Sequence, residues 1–208
     1  MALKKEFLEP IGVMPVITID SIDHAVPAAE ALYKGGIKAV EITLRTPCAL
    51  DAIKLIKQQC PYLIVGAGTV INEKNVEQVV DAGVDFAVSP GLTANLLRKA
   101  EELNLDLLPG TASPSEILLG MEFGLSVFKL FPAVAVGGLP LLKSIAGPLP
   151  QVSFCPTGGL TVDDFDQYLA LPNVVCVGGS WLLPKAAVQA GDWQQITDIA
   201  AKTMAKII

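Results

Sequence analysis

The residue whose setting asks most for explanation is Lys129, inside Ser126-Val127-Phe128-Lys129-Leu130-Phe131-Pro132. This run reads as a buried strand closed by proline. An ammonium among apolar groups is costly unless it loses its proton or finds partners. A desolvated lysine amine is a nucleophile toward a carbonyl. A second run, Val40-Glu41-Ile42-Thr43-Leu44-Arg45, alternates strictly. A period of two puts Glu41, Thr43 and Arg45 on one strand face and Val40, Ile42 and Leu44 on the other. If the aliphatic face packs on helices, a general acid/base and a carboxylate-binding fork turn inward together. By the same parity Val127, Lys129 and Phe131 share a face. The plain alternatives are a buried Glu–Arg pair and a lysine snorkelling to the rim.

Other strand ends carry turn and anion chemistry. Gly66-Ala67-Gly68-Thr69 brings glycines that let backbone approach a ligand, with Thr69 as a donor ahead of a helix. Ser89-Pro90-Gly91 and Pro109-Gly110-Thr111 are turns that shape a pocket wall. Near the end, Pro156-Thr157-Gly158-Gly159 and Gly178-Gly179-Ser180 place paired glycines after consecutive strand candidates. Their N–H groups could cradle an anion, the usual phosphate position of a barrel. Gly137-Gly138 either extends that cradle or starts a helix. His24, the single histidine, reads as a solvated surface residue, and Trp181 and Trp193 as packing. No His/Cys spacing makes a metal site, and nothing resembles a Ser-His-Asp arrangement.

These groups converge only if the strands between them are parallel. Apolar strand candidates fall at 12–19, 39–44, 63–67, 86–88, 105–108, 127–131, 152–155 and 174–177. Helical patterns separate them near 23–34, 48–59, 73–82, 93–103, 114–123, 138–145 and 162–170, and a last one covers 192–206. Ser113-Pro114-Ser115-Glu116 is a capping box with proline at N1. Strict β-α alternation demands right-handed crossovers. Eight units predict an α/β (β/α)8 TIM barrel, one domain over 1–208, preceded by a short lead-in helix at 3–9. A doubly wound open sheet is the alternative, disfavoured because no GxGxxG follows the first strand.

Composition agrees. Of 208 residues, 51% are hydrophobic and 17% charged, which suits a sheet buried on both faces and argues against disorder. A net charge of -6 without a basic cluster excludes nucleic acid as the expected partner. No apolar stretch approaches the ~18 residues of a membrane span, and the start lacks a secretory h-region. Cys48, Cys60, Cys155 and Cys176 read as reduced thiols. A cytoplasmic protein is the expectation.

Taken together, the Val40–Pro47, Gly66–Thr69, Phe128–Pro132, Cys155–Gly159 and Gly178–Trp181 motifs resemble 2-keto-3-deoxy-6-phosphogluconate aldolase, a family that also acts on 4-hydroxy-2-oxoglutarate. The likeness spans nearly the whole chain, with no departure at a functional position. It implies a metal-independent, cofactor-free class I aldolase, with Lys129 forming a Schiff base and Glu41 as general acid/base. By the same resemblance Arg45 and Thr69 hold the pyruvyl carboxylate, Pro90 and Phe131 line the pocket, and Thr157 lies near the substrate chain. Gly158, Gly159, Gly179 and Ser180 would bind phosphate. The partners implied are a phosphorylated keto acid and pyruvate, and the assembly a homotrimer. The residues leave open the gluconate- or galactonate-derived epimer, and the resemblance around Thr157 leans to the former. Rival readings are a phosphosugar isomerase or synthase, an enzyme acting mainly on unphosphorylated 4-hydroxy-2-oxoglutarate or oxaloacetate, and a binding barrel without catalysis.

Overall fold

The computed structural model describes residues 3–207. Met1, Ala2 and Ile208 of the expected 1–208 domain lie outside the described residues. The fold is α/β, with every strand pairing parallel. The strands are β1 Gly12–Ile17, β2 Ala39–Thr43, β3 Ile64–Gly68, β4 Phe86–Val88 and β5 Leu107–Leu108, then β6 Gly110–Thr111, β7 Val127–Leu130, β8 Ser153–Pro156 and β9 Cys176–Gly179. Six of them form a sheet of order β5-β4-β3-β2-β1-β9, and β6-β7-β8 form a second one.

The expected fifth strand at 105–108 is thus shorter at its start and continues beyond Pro109 as β6. Proline has no N–H to give a ladder, so the strand is interrupted there. The chain nonetheless stays in register, because the Pro109 carbonyl accepts from Lys129 N at 2.9 Å and Gly110 pairs with Lys129. The expected strands at 12–19, 152–155 and 174–177 shift to the bounds above. The 174–177 strand starts later because Val174 only bridges Phe154, and it runs on through Gly178 and Gly179.

Helices α1 Lys5–Leu8, α2 Ala25–Lys34, α3 Ala49–Gln59, α4 Glu73–Asp81, α5 Ala94–Glu102, α6 Pro114–Glu122 and α7 Gly138–Ala146 fall where the periodicity puts them. Gly137, with φ 119°, caps α7, so the Gly137-Gly138 pair starts a helix. The helix expected at 162–170 is only α8 Phe165–Leu169, since the Asp164 carboxylate accepts from Thr161 N at 2.6 Å and holds a turn before it. Ahead of α10 Trp193–Met204 stands an unanticipated α9 Lys185–Ala190. Its signals were present in the sequence: Pro184 at its N-cap and Gly191, with φ +67°, closing it.

Two apolar clusters show which face is which. Val40, Ile42, Val65, Ala67, Phe128, Leu130 and Phe154 pack with Leu32, Ile53 and Val79 of the helices. Met14, Ala39, Phe86, Val88, Val127, Cys155 and Cys176 form the other cluster with Leu3 and Leu8, and Phe7 of α1 stacks edge-on against Phe86 at 5.7 Å. The strands are therefore buried on both faces, and α1 covers one end of the inner one. Cys60, Cys155 and Cys176 are buried free thiols and Cys48 is half-buried. Burial, and then the hydrogen bond to Cys155, push the Cys176 thiol well up.

The capping box is formed in full: Ser113 Oγ accepts from Glu116 N, and Glu116 Oε2 accepts from Ser113 N at 2.8 Å. Ser113→Ala is expected to lower unfolding free energy by about 1 kcal/mol without changing activity, as measured by urea denaturation beside a turnover assay. A change below about 0.3 kcal/mol would mean that α6 is held by packing alone.

Candidate active site

Lys129 comes to the inner face because β7 alternates. Phe128 and Leu130 go to the helices, and Lys129 turns the other way, 5% exposed. Its backbone is fixed from both sides, by Gly110 of β6 and Cys155 of β8. Thr111 Oγ1 donates to its carbonyl at 3.4 Å.

Glu41, 3% exposed, reaches the same place from β2. Lys129 Nζ and Glu41 Oε1 are 3.5 Å apart, across 88 residues of chain. Nζ also stands 5.1 Å from the centre of the Phe131 ring, within cation–π range. The parity reading of both strands is borne out, and a lysine snorkelling to the rim is overturned. A buried carboxylate beside a buried amine is a weak source of net stability. The pair can, however, do chemistry: one group attacks a carbonyl while the other moves protons within hydrogen-bond reach.

Arg45, exposed at the end of the alternating run, does not pair with Glu41 in the pattern of a closed Glu–Arg bridge. Among the described residues Glu41 has its ion pair with Lys129. Arg45 Nε instead donates to Thr69 Oγ1 at 3.1 Å. Thr69 holds a φ of +62°, a left-handed conformation uncommon for a β-branched residue. Such strain often collects where a side chain must be aimed.

A cleft of about 150 Å³ is lined by Arg45, Phe131, Thr157, Gly158, Gly159, Gly179 and Ser180. Both glycine loops therefore meet the guanidinium at one opening. Gly158 and Gly159 have φ of +99° and +88°, a backbone that side chains rarely adopt. Thr157 is buried and bridges Gly178. Pro90 is placed differently. It lies against Gly110, one strand away from Lys129, and is outside the lining of this cleft among the described residues.

Val16 and Thr18 also line the cleft and were missed. The available signal was a threonine at the carboxyl end of the first strand. His24 is not a solvated surface residue. It is half-buried, packs edge-on against Trp193 at 5.6 Å, and lines a neighbouring cleft of about 440 Å³ with Asp20, Ser180 and Lys185. Its Nδ1 is buried without a hydrogen-bond partner among the described residues. Trp181 packs as expected, stacked on Phe165 at 5.3 Å with its N–H donated to Thr203.

The chain is similar to known aldolases over most of its length. A family model described as KDPG and KHG aldolase matches residues 5–199. The KHG/KDPG aldolase of Escherichia coli strain K12 is 50% identical over 192 residues, 92% of this chain and 90% of that protein. The 2-dehydro-3-deoxy-phosphogluconate aldolase of Dickeya dadantii strain 3937 is 51% identical over 193 residues, covering 93% and 91%. Among solved structures, KDPG aldolase from Legionella pneumophila aligns with a TM-score of 0.93 at 45% identity, over 96% of this chain and 97% of that one. In that structure pyruvate was captured as a covalent carbinolamine intermediate.

Proposed function

Because the chain belongs to the KDPG and KHG aldolase family, we propose that Lys129 is its Schiff-base residue. The chain is a class I aldehyde-lyase that cleaves 2-keto-3-deoxy-6-phosphogluconate to pyruvate and glyceraldehyde 3-phosphate, the Entner–Doudoroff reaction. It also cleaves 4-hydroxy-2-oxoglutarate to pyruvate and glyoxylate. The observation that carries the reading is the buried Lys129–Glu41 pair at 3.5 Å on the inner face.

Chemistry follows from the positions. Lys129 Nζ in its neutral form attacks the C2 ketone, forming the N–C2 bond of a carbinolamine. Loss of water leaves a protonated imine, which is an electron sink. Glu41 takes the C4-hydroxyl proton, the C3–C4 bond breaks, and its electron pair moves to the imine as an enamine. Protonation at C3 and hydrolysis then release pyruvate and free the lysine. Arg45, with Thr69 hydrogen-bonded to it, holds the carboxylate, and Pro90 and Phe131 shape the wall around the lysine. Gly158, Gly159, Gly179 and Ser180 hold the phosphate, with Thr157 along the substrate chain. No metal or other cofactor has a part in these steps.

The strands are those of one (β/α)8 barrel domain. What supports closure is the run of pairings on both sides of each gap: β4 with β5, β6 with β7, and the Phe154–Val174 and Thr157–Gly178 bridges from β8 to β9. A homotrimer in the cytoplasm is the assembly that goes with the family resemblance. No described helix is long and apolar enough to cross a membrane.

Steady-state kinetics on the two keto acids test the substrate assignment. The phosphorylated compound should have kcat/KM at least about ten-fold higher, since one well-held phosphate is worth more than ~1.4 kcal/mol. Equal values would take the glycine loops out of phosphate binding.

A further inference from the structure

Glycines around the site differ in what keeps a side chain out. Gly158 and Gly159 have positive φ, so any side chain there strains the backbone. Gly68 and Gly178 have no such constraint, and an L-residue fits their backbone conformation. What forbids a side chain at these two is an occupied volume, and the occupant is in each case a polar side chain of the site.

At Gly68 a Cβ would overlap Glu41 Oε1 and stand 2.7 Å from both Glu41 Cγ and Cδ. Real Cβ contacts essentially never fall under 3.0 Å. Strand register explains the approach: Glu41 pairs with Gly66 and Thr43 with Gly68, so the Glu41 side chain leans along its own strand across the Gly68 Cα. The oxygen that rests there is the same Oε1 that lies 3.5 Å from Lys129 Nζ. At Gly178, which Thr157 bridges, a Cβ would overlap Thr157 Oγ1 and stand 2.9 Å from its Cγ2. Gly66, Gly120 and Gly179 are different, since there the excluded space belongs to the Phe86, Phe128 and Trp181 rings and concerns packing.

We propose that Gly68 and Gly178 are positioning residues: Gly68 seats the Glu41 carboxylate against Lys129, and Gly178 seats the Thr157 hydroxyl in the wall of the anion cleft. This assigns a side-chain role to glycines that the sequence presents as places for a ligand to approach backbone. The inference rests on the reading that Glu41 moves protons and that Thr157 lies along the substrate chain. It adds that each of these side chains is held by the absence of a methyl group on the neighbouring strand.

The two glycines predict separable losses. Gly68→Ala pushes Oε1 aside by roughly an ångström, since the new Cβ must stand at least 3.0 Å from it, but leaves Lys129 and the anion loops untouched. It should still form the borohydride-trapped pyruvate adduct, with KM within about two-fold of the parent. Its kcat should fall about 10²-fold, the scale of a misplaced catalytic group. Added to Glu41→Gln, it should cost less than about two-fold more, because the two changes remove one and the same function. Gly178→Ala should keep the adduct and lose roughly ten-fold in kcat/KM for the phosphorylated keto acid, mainly through KM.

The experiment is kinetics and adduct mass spectrometry on these variants, with circular dichroism as the check on folding. A kcat for Gly68→Ala within about three-fold of the parent, or a full additive loss in the double variant, overturns the proposal. If Glu41→Gln itself keeps full turnover, it is the role of Glu41 that falls instead, so the two failures are distinct. Should Gly68→Ala not fold, Glu41→Ala removes the obstructing side chain, and adding Gly68→Ala to it must then cost no further stability. A double variant clearly less stable than Glu41→Ala alone counts against the seat.

Discussion

Lys129→Ala is expected to bring aldol cleavage down to background, a loss on the order of 10⁶-fold if it parallels the removal of other covalent nucleophiles. The side chain that takes the substrate ketone into an imine is gone, and none of its neighbours on the inner face is an amine: Glu41, Phe131, Cys155 and Cys176 offer no second one. The substitution also leaves the Glu41 carboxylate buried without its ion pair, which costs about 3–5 kcal/mol when one partner of a buried pair is removed. Loss of activity must therefore be separated from loss of fold. Lys129→Arg keeps a positive charge beside Glu41 but cannot form the imine, so it should fold better than Lys129→Ala and be equally inactive. Aldolase activity retained by a folded Lys129→Arg protein would sink the covalent mechanism.

Glu41→Gln is the second large effect. Glutamine keeps the volume over Gly68 and can still accept from Lys129, so the fold and the nucleophile are preserved. What is lost is the ability to take the C4-hydroxyl proton and to return one at C3. General acid/base assistance is worth about 10²–10⁴-fold, and kcat should fall by that order while a reducible imine still forms. The split between retained imine and lost turnover is the informative part. Lys129→Ala abolishes both, whereas Glu41→Gln abolishes one. Unchanged turnover would remove Glu41 from the role.

Most of this site was legible because strand parity is a local rule. Glu41 between Val40 and Ile42, and Lys129 between Phe128 and Leu130, can face inward only if their neighbours face the helices, which the two apolar clusters bear out. The capping box at Ser113 is likewise sequence-local. What the sequence could not supply was anything set by contact across the chain. The Pro109 interruption looks like a strand end, yet its carbonyl still serves the Lys129 backbone. His24 looks like a surface histidine until Trp193, far along the chain, packs on it. The G-x-G-T run suggested backbone open to a ligand, whereas the volume at Gly68 belongs to a side chain 27 residues away in sequence, at position 41.

The most direct measurement is mass spectrometry of the protein after incubation with pyruvate and sodium borohydride, followed by peptide mapping. Reduction of the imine should leave one stable pyruvyl adduct, on the peptide that contains Lys129. An adduct on a different lysine, or a folded protein that gains none with pyruvate in excess, would contradict the account.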